Sequence, residues 1–588
     1  MPRLFVHPRP TNLHFFPIMP PTSTAPSNWW MFHGDPAHSG VATGSAITSQ
    51  NVGASLKATF TLQLRGPVMS TPAIVDGYAY VGTANSKAAP GGNGGSMNKI
   101  NLATGVVEQT FVWPTPPEEA DSHGFTGMGS TPAVTGGAVY FSAFNGVVYC
   151  LDQGTLAPRW ATNLRHADPA QNQPADNIVG MDQNPPVSGW SSPVVVNGNV
   201  YVGVGEGENP YAYGFVYCLD AQTGRVKWLF CTVQLVAGQN NQPNVVPADI
   251  AITPLPPGFT STRLTANCIR GASVWSAIAY DAGSNRLYCT TGNPNPDSTL
   301  PCFGYTNGIL ALDAGTGAYI GFTQFPAASS YRVSDADVDV GGAPTLFTIN
   351  GRRLVGAGCK NGCYMILDAT TMAIVTWRQM LPYMNDGSQI PTVDPHGPDD
   401  PDNPNPHLTN DQSNSVPNPP PPNYETENFY GTYSTAAVHP GLGKLFIGIG
   451  GNNYHFIAPG IDSDTTPFMR AMDWNTLADA WPMDNSDPKR YLNCRPPMYT
   501  TAGESGLSVP AVVNDVVFMA TSGINLYAFN ANDGTLLWQD ALGMQTDGMN
   551  GGYGYCLGPA ISGNYVVAGA LVMGRDGGLL RIYQLQTS

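Results

Sequence analysis

The sequence predicts an all-β chain folded as an eight-bladed β-propeller of four-stranded antiparallel blades. Three observations carry that prediction. Gly (67) and Pro (53) together make 120 of 588 residues, a share that long helices tolerate poorly and that short strands joined by turns use well. A first unit, a small-residue and Pro step followed by two apolar strands around a Gly/Asn turn, recurs eight times. A second unit, an apolar strand ending in Asp, then a Thr-Gly turn and a Trp, follows most copies of the first. Two hairpins per repeat is four strands, the size of one propeller blade.

The first unit reads STPAIVDGYAYVGT from Ser70, STPAVTGGAVYFSA from Ser130, SSPVVVNGNVYVGV from Ser191 and SVPAVVNDVVFMAT from Ser508. Looser copies begin at Trp275, Gly342, Ser434 and Gly558. Alternating apolar runs around DG, GG, NG, ND or GN signal a hairpin. The second unit is clearest as VYCLDAQTGRVKW, ending at Trp228, with further copies ending at Trp160, Trp377, Trp481 and Trp538. Two copies are degenerate: NKINLATGVVEQTF lacks the Trp, and ALDAGTGAYIGF has Gly321-Phe322 in its place. The Asp accepts backbone hydrogen bonds in the turn, and the Gly takes φ > 0. The Trp gives each sheet an apolar wedge to bury against its neighbour, a docking motif.

A net charge of −16, from 25 Lys+Arg and 41 Asp+Glu with no basic run, would repel phosphate backbones and argues against nucleic acid as a partner. No stretch approaches 18 apolar residues, so no membrane span is expected. Residues 1–28 read as a disordered extension in which prolines break every candidate signal-peptide core. Residues 29–588 read as a single propeller with a Pro/Asn/Asp-rich rim insertion at about 381–430. Ten cysteines suit some disulfides in an oxidising compartment. None forms a CxxC pair, which argues against a zinc ribbon, and no CxxCH haem site exists.

The Trp-docked blades and the opening stretch WWMFHGDPAHSGVA, Trp29–Ala42, resemble the quinoprotein alcohol dehydrogenases, whose propeller holds pyrroloquinoline quinone (PQQ). The likeness runs from about Trp29 to the end, and three stretches make it specific. In VWSAIAYDAGSNRLYCTTGNP, Trp275 matches the family's floor under the quinone and Asn293 its metal-binding Asn. In YVGVGEGENP, Glu208 falls in register with the family's metal-binding Glu, and Glu206 is the alternate. In SDADVDVGGAPTLFTINGRRLVGAGCKNGCYMILDA, Asp337, Asp339 and Lys360 match an Asp-x-Asp and a later Lys or Arg. The wording DADVDVGGAPTL looks most like the polyvinyl-alcohol dehydrogenase branch.

The resemblance implies a PQQ enzyme that oxidises an alcohol, secondary or polymeric, in the periplasm or outside the cell. A separate carrier such as a cytochrome c would take the electrons. Glu208 and Asn293 would hold Ca²⁺ with cofactor oxygens, and a hard cation bound this way acts as a Lewis acid. Asp337 would be the general base and a metal neighbour. Asp339 would add a further metal oxygen, compatible with a lanthanide. Lys360 would bind the cofactor and stabilise charge on the quinone oxygens as they are reduced. Trp275 would offer its flat face to the ring.

Taken singly, each residue also has a structural reading. Trp275 is then one more inter-blade wedge, and Asn293 is a turn former. Asp335, Asp337 and Asp339 are a charged strand edge, while Glu208 and Lys360 simply face solvent. The functional reading rests on these residues standing in register on different blades. Departures from the family pattern are the missing adjacent-cysteine pair, Trp190 for a Thr, Gly205 for a Ser, and Ala336 for a Trp. The basic residue of the second blade is also not evident, with His123 as a substitute. An alternative of another class is a propeller without cofactor that acts as a scaffold or binds carbohydrate or protein.

Overall fold

The structure is a computed structural model. It describes residues 28–86, 95–112, 125–164, 167–168, 173–174, 189–205, 214–232, 272–292, 305–325, 339–360, 363–379, 430–431, 434–451, 469–481, 508–521, 525–542, 554–555, 558–572 and 578–586. Eight of the sheets they form are antiparallel blades arranged as a propeller, one of them extended by a short parallel strand, Val41–Ala42, and three further two-stranded sheets lie outside the blades. The innermost strands, blade 1 to blade 8, are Ala73–Val75, Ala133–Thr135, Val194–Val196, Ala279–Asp281, Thr345–Ile349, Ala437–His439, Ala511–Val513 and Ala560–Ser562. Each begins just after the small-residue step of the first sequence unit, with Pro immediately before the strand in six blades and Ile278 and Ala436 there in blades 4 and 6. In blade 6 the described part is three strands and a bridge between Met472 and Asp479.

The sequence holds eight first units but only seven second units, and the ring resolves the shortfall. Blade 8 takes its outermost strand from the other end of the chain. Leu56–Leu64 pairs antiparallel with Gly578–Leu585, from Leu56 opposite Leu585 to Leu64 opposite Gly578. This pairing closes the circle, with the strand from the start of the ring serving as the outer strand of its last blade.

Adjacent blades dock through the second unit. Trp160, Trp228 and Trp481 each donate an indole N–H to the carbonyl of an Ala in the next blade's turn: Ala221 (3.0 Å), Ala314 (3.3 Å) and Ala531 (3.0 Å). Each indole lies over the turn's glycine, so that a Cβ on Gly224 would stand 2.5 Å from Trp160 Cε3. Gly224 also has φ +70°, which a side chain resists. Phe60 of the closing strand occupies the same place over Gly105 of blade 1. The recurring Asp does what its turn requires, since Asp152, Asp220, Asp313, Asp368 and Asp473 all accept turn N–H groups. Burial pushes the Asp220 and Asp368 carboxyls up, but Lys227 and Arg352 with the turn N–H groups outweigh it and hold both low.

The stretch after Asn28 acts as a hub. Its carbonyls accept, in order, from the second residue of one innermost strand after another. Trp29 exchanges bonds with Ile74, Trp30 accepts from Val134, Pro36 from Tyr280, Ala37 from Leu346, Ser39 from Val438 and Gly40 from Val512, all at 2.7–2.9 Å. Ala46 N–H then reaches Asn564 Oδ1 in blade 8. Backbone groups that line the channel are thereby satisfied rather than buried bare. His33 spans the carbonyls of His38 and Pro510, both at 2.8 Å, and His38 donates to Pro344 at 2.9 Å. Both imidazoles are fully buried, and burial holds both below the usual histidine value, His38 at about 3.

Of the ten cysteines, Cys150, Cys218 and Cys289 are buried thiols outside any disulfide, with burial raising Cys150 to about 11 and Cys218 to about 12. Cys268, Cys302, Cys494 and Cys556 lie outside the described residues, as do positions 1–27 and most of 381–430.

Candidate active site

Strand alternation separates the ring into two faces. The innermost strands end at tight turns such as Asp76-Gly77, Asn197-Gly198 and Asn350-Gly351, where both residues have positive φ, the hairpin geometry these dipeptides favour. The hub lies on this face, because Asn28 bonds Asp76, Ser49 bonds Asp515 and Asn514 bonds the carbonyls of Ser45 and Ile47. The opposite face is where innermost strands begin and second strands end, and the described sequence-predicted residues, Trp275, Asp339 and Lys360, gather there.

Trp275 stands four residues ahead of the blade 4 innermost strand and Asp339 six residues ahead of that of blade 5. Lys360 stands two residues past the end of the second strand of blade 5, Arg352–Gly358. The three meet. Lys360 Nζ lies 3.2 Å from Asp339 Oδ2 and 5.5 Å from the centroid of a Trp275 ring. The Lys360 backbone N–H donates to the Asp339 carbonyl at 2.9 Å. The Asp339 side chain is 2% exposed and that of Lys360 12%. At that burial the loss of either partner strands a charge, a cost of about 3–5 kcal/mol. Cys359 and Cys363 bracket this turn, joined by the Cys359 N–H to Cys363 carbonyl bond at 2.9 Å.

Blade 4 contributes the rest. A Cβ on Gly292 would lie 2.5 Å from Asp339 Oδ1 and 2.7 Å from Ser273 Oγ. Only glycine lets both oxygens approach there. Gly292 N–H donates to the Ser273 carbonyl at 2.8 Å and Gly292 accepts from Asn307 at 3.1 Å. The Ser273 hydroxyl and Asn307 Oδ1 are buried with no hydrogen-bond partner among the described residues. Asn293, next in the chain after Gly292, lies outside the described residues, as do Glu206, Glu208, Asp335, Ala336, Asp337 and His123.

The described residues fit a cation and a flat anionic ring. Uncommitted oxygen at Ser273 and Asn307 beside the Asp339 carboxylate is the donor set of a hard ion. The Trp275 face with a cation above it suits a planar polyanion. Sequence reading missed Ser273, Gly292 and the Asp339–Lys360 pair. The signal available was the run of small residues two places ahead of Trp275 and one ahead of Asn293.

Comparison with known proteins follows this geometry. A family model described as glucose/ethanol/alcohol dehydrogenase, beta-propeller domain, matches residues 176–375, the stretch that carries every predicted site residue from Glu208 to Lys360. Over that third of its length the chain is similar to the PQQ-dependent alcohol dehydrogenase β-propeller family. A second model, described as outer membrane protein assembly factor BamB, matches residues 61–230 and 469–579, mostly repeat blades away from the site.

Among relatives of this propeller is the dehydrogenase subunit of alcohol dehydrogenase (quinone) from Gluconacetobacter polyoxogenes. It is 26% identical over 61% of this chain and 46% of its own. The quinohemoprotein alcohol dehydrogenase of Comamonas testosteroni is 24% identical over 82% of this chain and 64% of its own. The chain thus spans about half the length of the former and under two thirds of the latter. The solved structure of the Comamonas protein superposes with TM-score 0.63 at 17% identity, covering 96% of this chain and 81% of that one. A europium-containing methanol dehydrogenase gives TM-score 0.63 at 14% identity, covering 95% and 98%. Both structures support the fold.

Proposed function

We propose that this propeller is a PQQ- and metal-dependent alcohol dehydrogenase that passes electrons to an external acceptor. The observation that carries the reading is the meeting of Trp275, Lys360 and Asp339 beside Gly292, the residue that leads into Asn293. PQQ, when bound, supplies an electrophilic ortho-quinone that takes up the two electrons lost by the alcohol carbon. Glu208 and Asn293 hold a hard cation, Ca²⁺ or a lanthanide, with Asp337 and Asp339 as neighbouring oxygens. Asp337 takes the hydroxyl proton. Lys360, held by Asp339, would bind the cofactor and supply positive charge to stabilise its oxygens on reduction. Trp275 supports the ring and excludes water from one face.

The substrate is an alcohol, with the DADVDVGGAPTL stretch favouring a secondary or polymeric one, and the acceptor is a separate carrier such as a cytochrome c. Relatives named as quinone alcohol dehydrogenases support a periplasmic or extracellular setting, and no helix among the described residues is long and apolar enough to cross a membrane. A second reading, a scaffold propeller without cofactor, draws support from the assembly-factor match and from Trp190 in the cofactor-binding Thr position. Titration of the protein with PQQ plus Ca²⁺, and separately plus a lanthanide, decides between them by quinone absorbance and alcohol-dependent dye reduction. Tight binding with turnover lost in Asp337→Ala supports the dehydrogenase. No binding with either metal overturns it in favour of the scaffold.

A further inference from the structure

Around the channel mouth the residue four places ahead of each innermost strand occupies an equivalent position. In blades 1 to 5 these are Met69, Gly129, Trp190, Trp275 and Gly341. Two adjacent blades therefore present a Trp at the same station. Trp275 faces the Lys360 ammonium. Trp190 belongs to a different environment, packing edge-on to Phe144 with ring centroids 4.6 Å apart in a cluster with Met69 and Ala84.

The glycine between Met69 and Trp190 makes this packing possible. A Cβ on Gly129 would lie 2.5 Å from Phe144 Cζ and 3.4 Å from Trp190 Cε3, so Phe144 fills the station that Gly129 leaves empty. Gly82 accommodates Met128 in the same way, at 2.3 Å from its methyl carbon. Blades 1 to 3 thus put an apolar arc of Met69, Phe144 and Trp190 beside the charged sector of blades 4 and 5. Phe144 is fully buried, whereas Trp190 keeps part of its indole exposed.

Resting on the dehydrogenase reading, we propose that Trp190 is a specificity-determining residue, the wall against which the hydrocarbon chain of the substrate lies. The hydroxyl end is turned toward the Lys360–Asp339 sector and the chain runs over Trp190 toward Met69. This selects alcohols with an extended apolar chain over small alcohols and sugars. Sugars and other polyols gain nothing on such a surface, because each hydroxyl laid on it loses water without a hydrogen bond in return, so of the secondary and polymeric alcohols named above the wall favours the simple secondary ones. Each methylene buried there contributes to discrimination, and hydrophobic pockets separate substrates by factors of about 10–200 per methylene.

The test uses the full chain loaded with PQQ and Ca²⁺, comparing wild type with Trp190→Ala and Trp190→Phe. The ratio of kcat/KM for 2-octanol to that for 2-propanol, both read at saturating PQQ, should fall at least about tenfold in Trp190→Ala. Trp190→Phe should keep most of the ratio. An unchanged ratio overturns the proposal. An equal loss on both alcohols accompanied by weaker PQQ binding also overturns it, since Trp190 then serves the cofactor. If the wild type shows no PQQ-dependent turnover, the dehydrogenase reading fails and equilibrium dialysis against 2-octanol tests the wall by itself. Binding lost in Trp190→Ala supports the wall, and equal binding overturns it.

Discussion

The two faces of the ring use similar residues for opposite purposes. On the hub face, short turns and the stretch from Trp29 to Ala46 satisfy the innermost strands they reach, His33 is held between two carbonyls and His38 bonds one, while Trp29 Nε1 and His38 Nε2 are buried without a partner among the described residues. On the site face, Ser273 and Asn307 carry buried oxygen with no partner among the described residues, beside a buried ion pair. Both faces thus carry unmet buried polar atoms, but of different kinds: ring nitrogens on the hub, and on the site face oxygens, the atoms that a hard cation takes. Unmet buried polar groups cost stability, and around Gly292 that cost falls on ligand-type atoms close to a buried ion pair.

Substitutions should separate the faces. The largest effect is expected from Asp337→Ala, with alcohol turnover falling about 10²–10⁴-fold while the melting temperature stays near wild type. A matching drop in melting temperature would place Asp337 in the scaffold instead. Trp29→Ala, on the hub, should do the reverse. Removing an indole that is 1% exposed should cost about 3–5 kcal/mol in denaturant unfolding, with kcat/KM of the surviving folded protein unaltered.

Lys360→Ala lies between these, affecting both readouts. It leaves Asp339 buried without its ammonium, a loss of about 3–5 kcal/mol, and removes charge stabilisation from the reaction. Asp339→Asn on top of it should restore much of the stability and none of the activity, which separates the two roles in a double-mutant cycle.

Smaller effects sharpen the hub side. Gly224→Ala places a Cβ against Trp160 at a left-handed backbone position, and should cost about 1–2 kcal/mol from the backbone conformation alone, without touching turnover. Acid should act through His33, His38 and His439, all depressed first of all by burial. Their folded-state values lie below 6.5, so the unfolded chain binds more protons as pH falls. Stability is therefore full above about pH 6.5 and declines below it, down to about pH 3 for His38, by at most about 1.4 kcal/mol per pH unit for each histidine. A melting profile flat from pH 7 to 4 would refute this, and His38→Asn should flatten it.

Much of this was legible in the chain. Hairpin dipeptides, the Asp turn and the Trp wedge are local, and local chemistry repeats visibly, so eight blades with a Trp wedged against a neighbour followed from pattern, whereas the seat of Trp160 on Gly224 of the next blade did not. Trp275, Asp339 and Lys360 were found because their spacing matched a known family. That they form one ion-paired cluster was not legible, since Asp339 precedes the first strand of blade 5, Lys360 follows the second, and Trp275 belongs to another blade. Gly292 and Ser273 were not singled out, because nothing in a sequence says which carboxylate will lie against a glycine.

By itself, then, the sequence determined which segments are strands, how they pair into blades, and which residue types are available for quinone and metal chemistry. Tertiary structure alone decided how the circle closes, by lending Leu56–Leu64 to blade 8 and threading one carbonyl after another from the hub into the ring. It also decided that Lys360 is held by Asp339 rather than by solvent. The physical reason is the same in each case. Periodicity reports neighbours along the chain, whereas ring closure and charge pairing join residues that the chain holds far apart and only a completed fold brings within hydrogen-bonding distance.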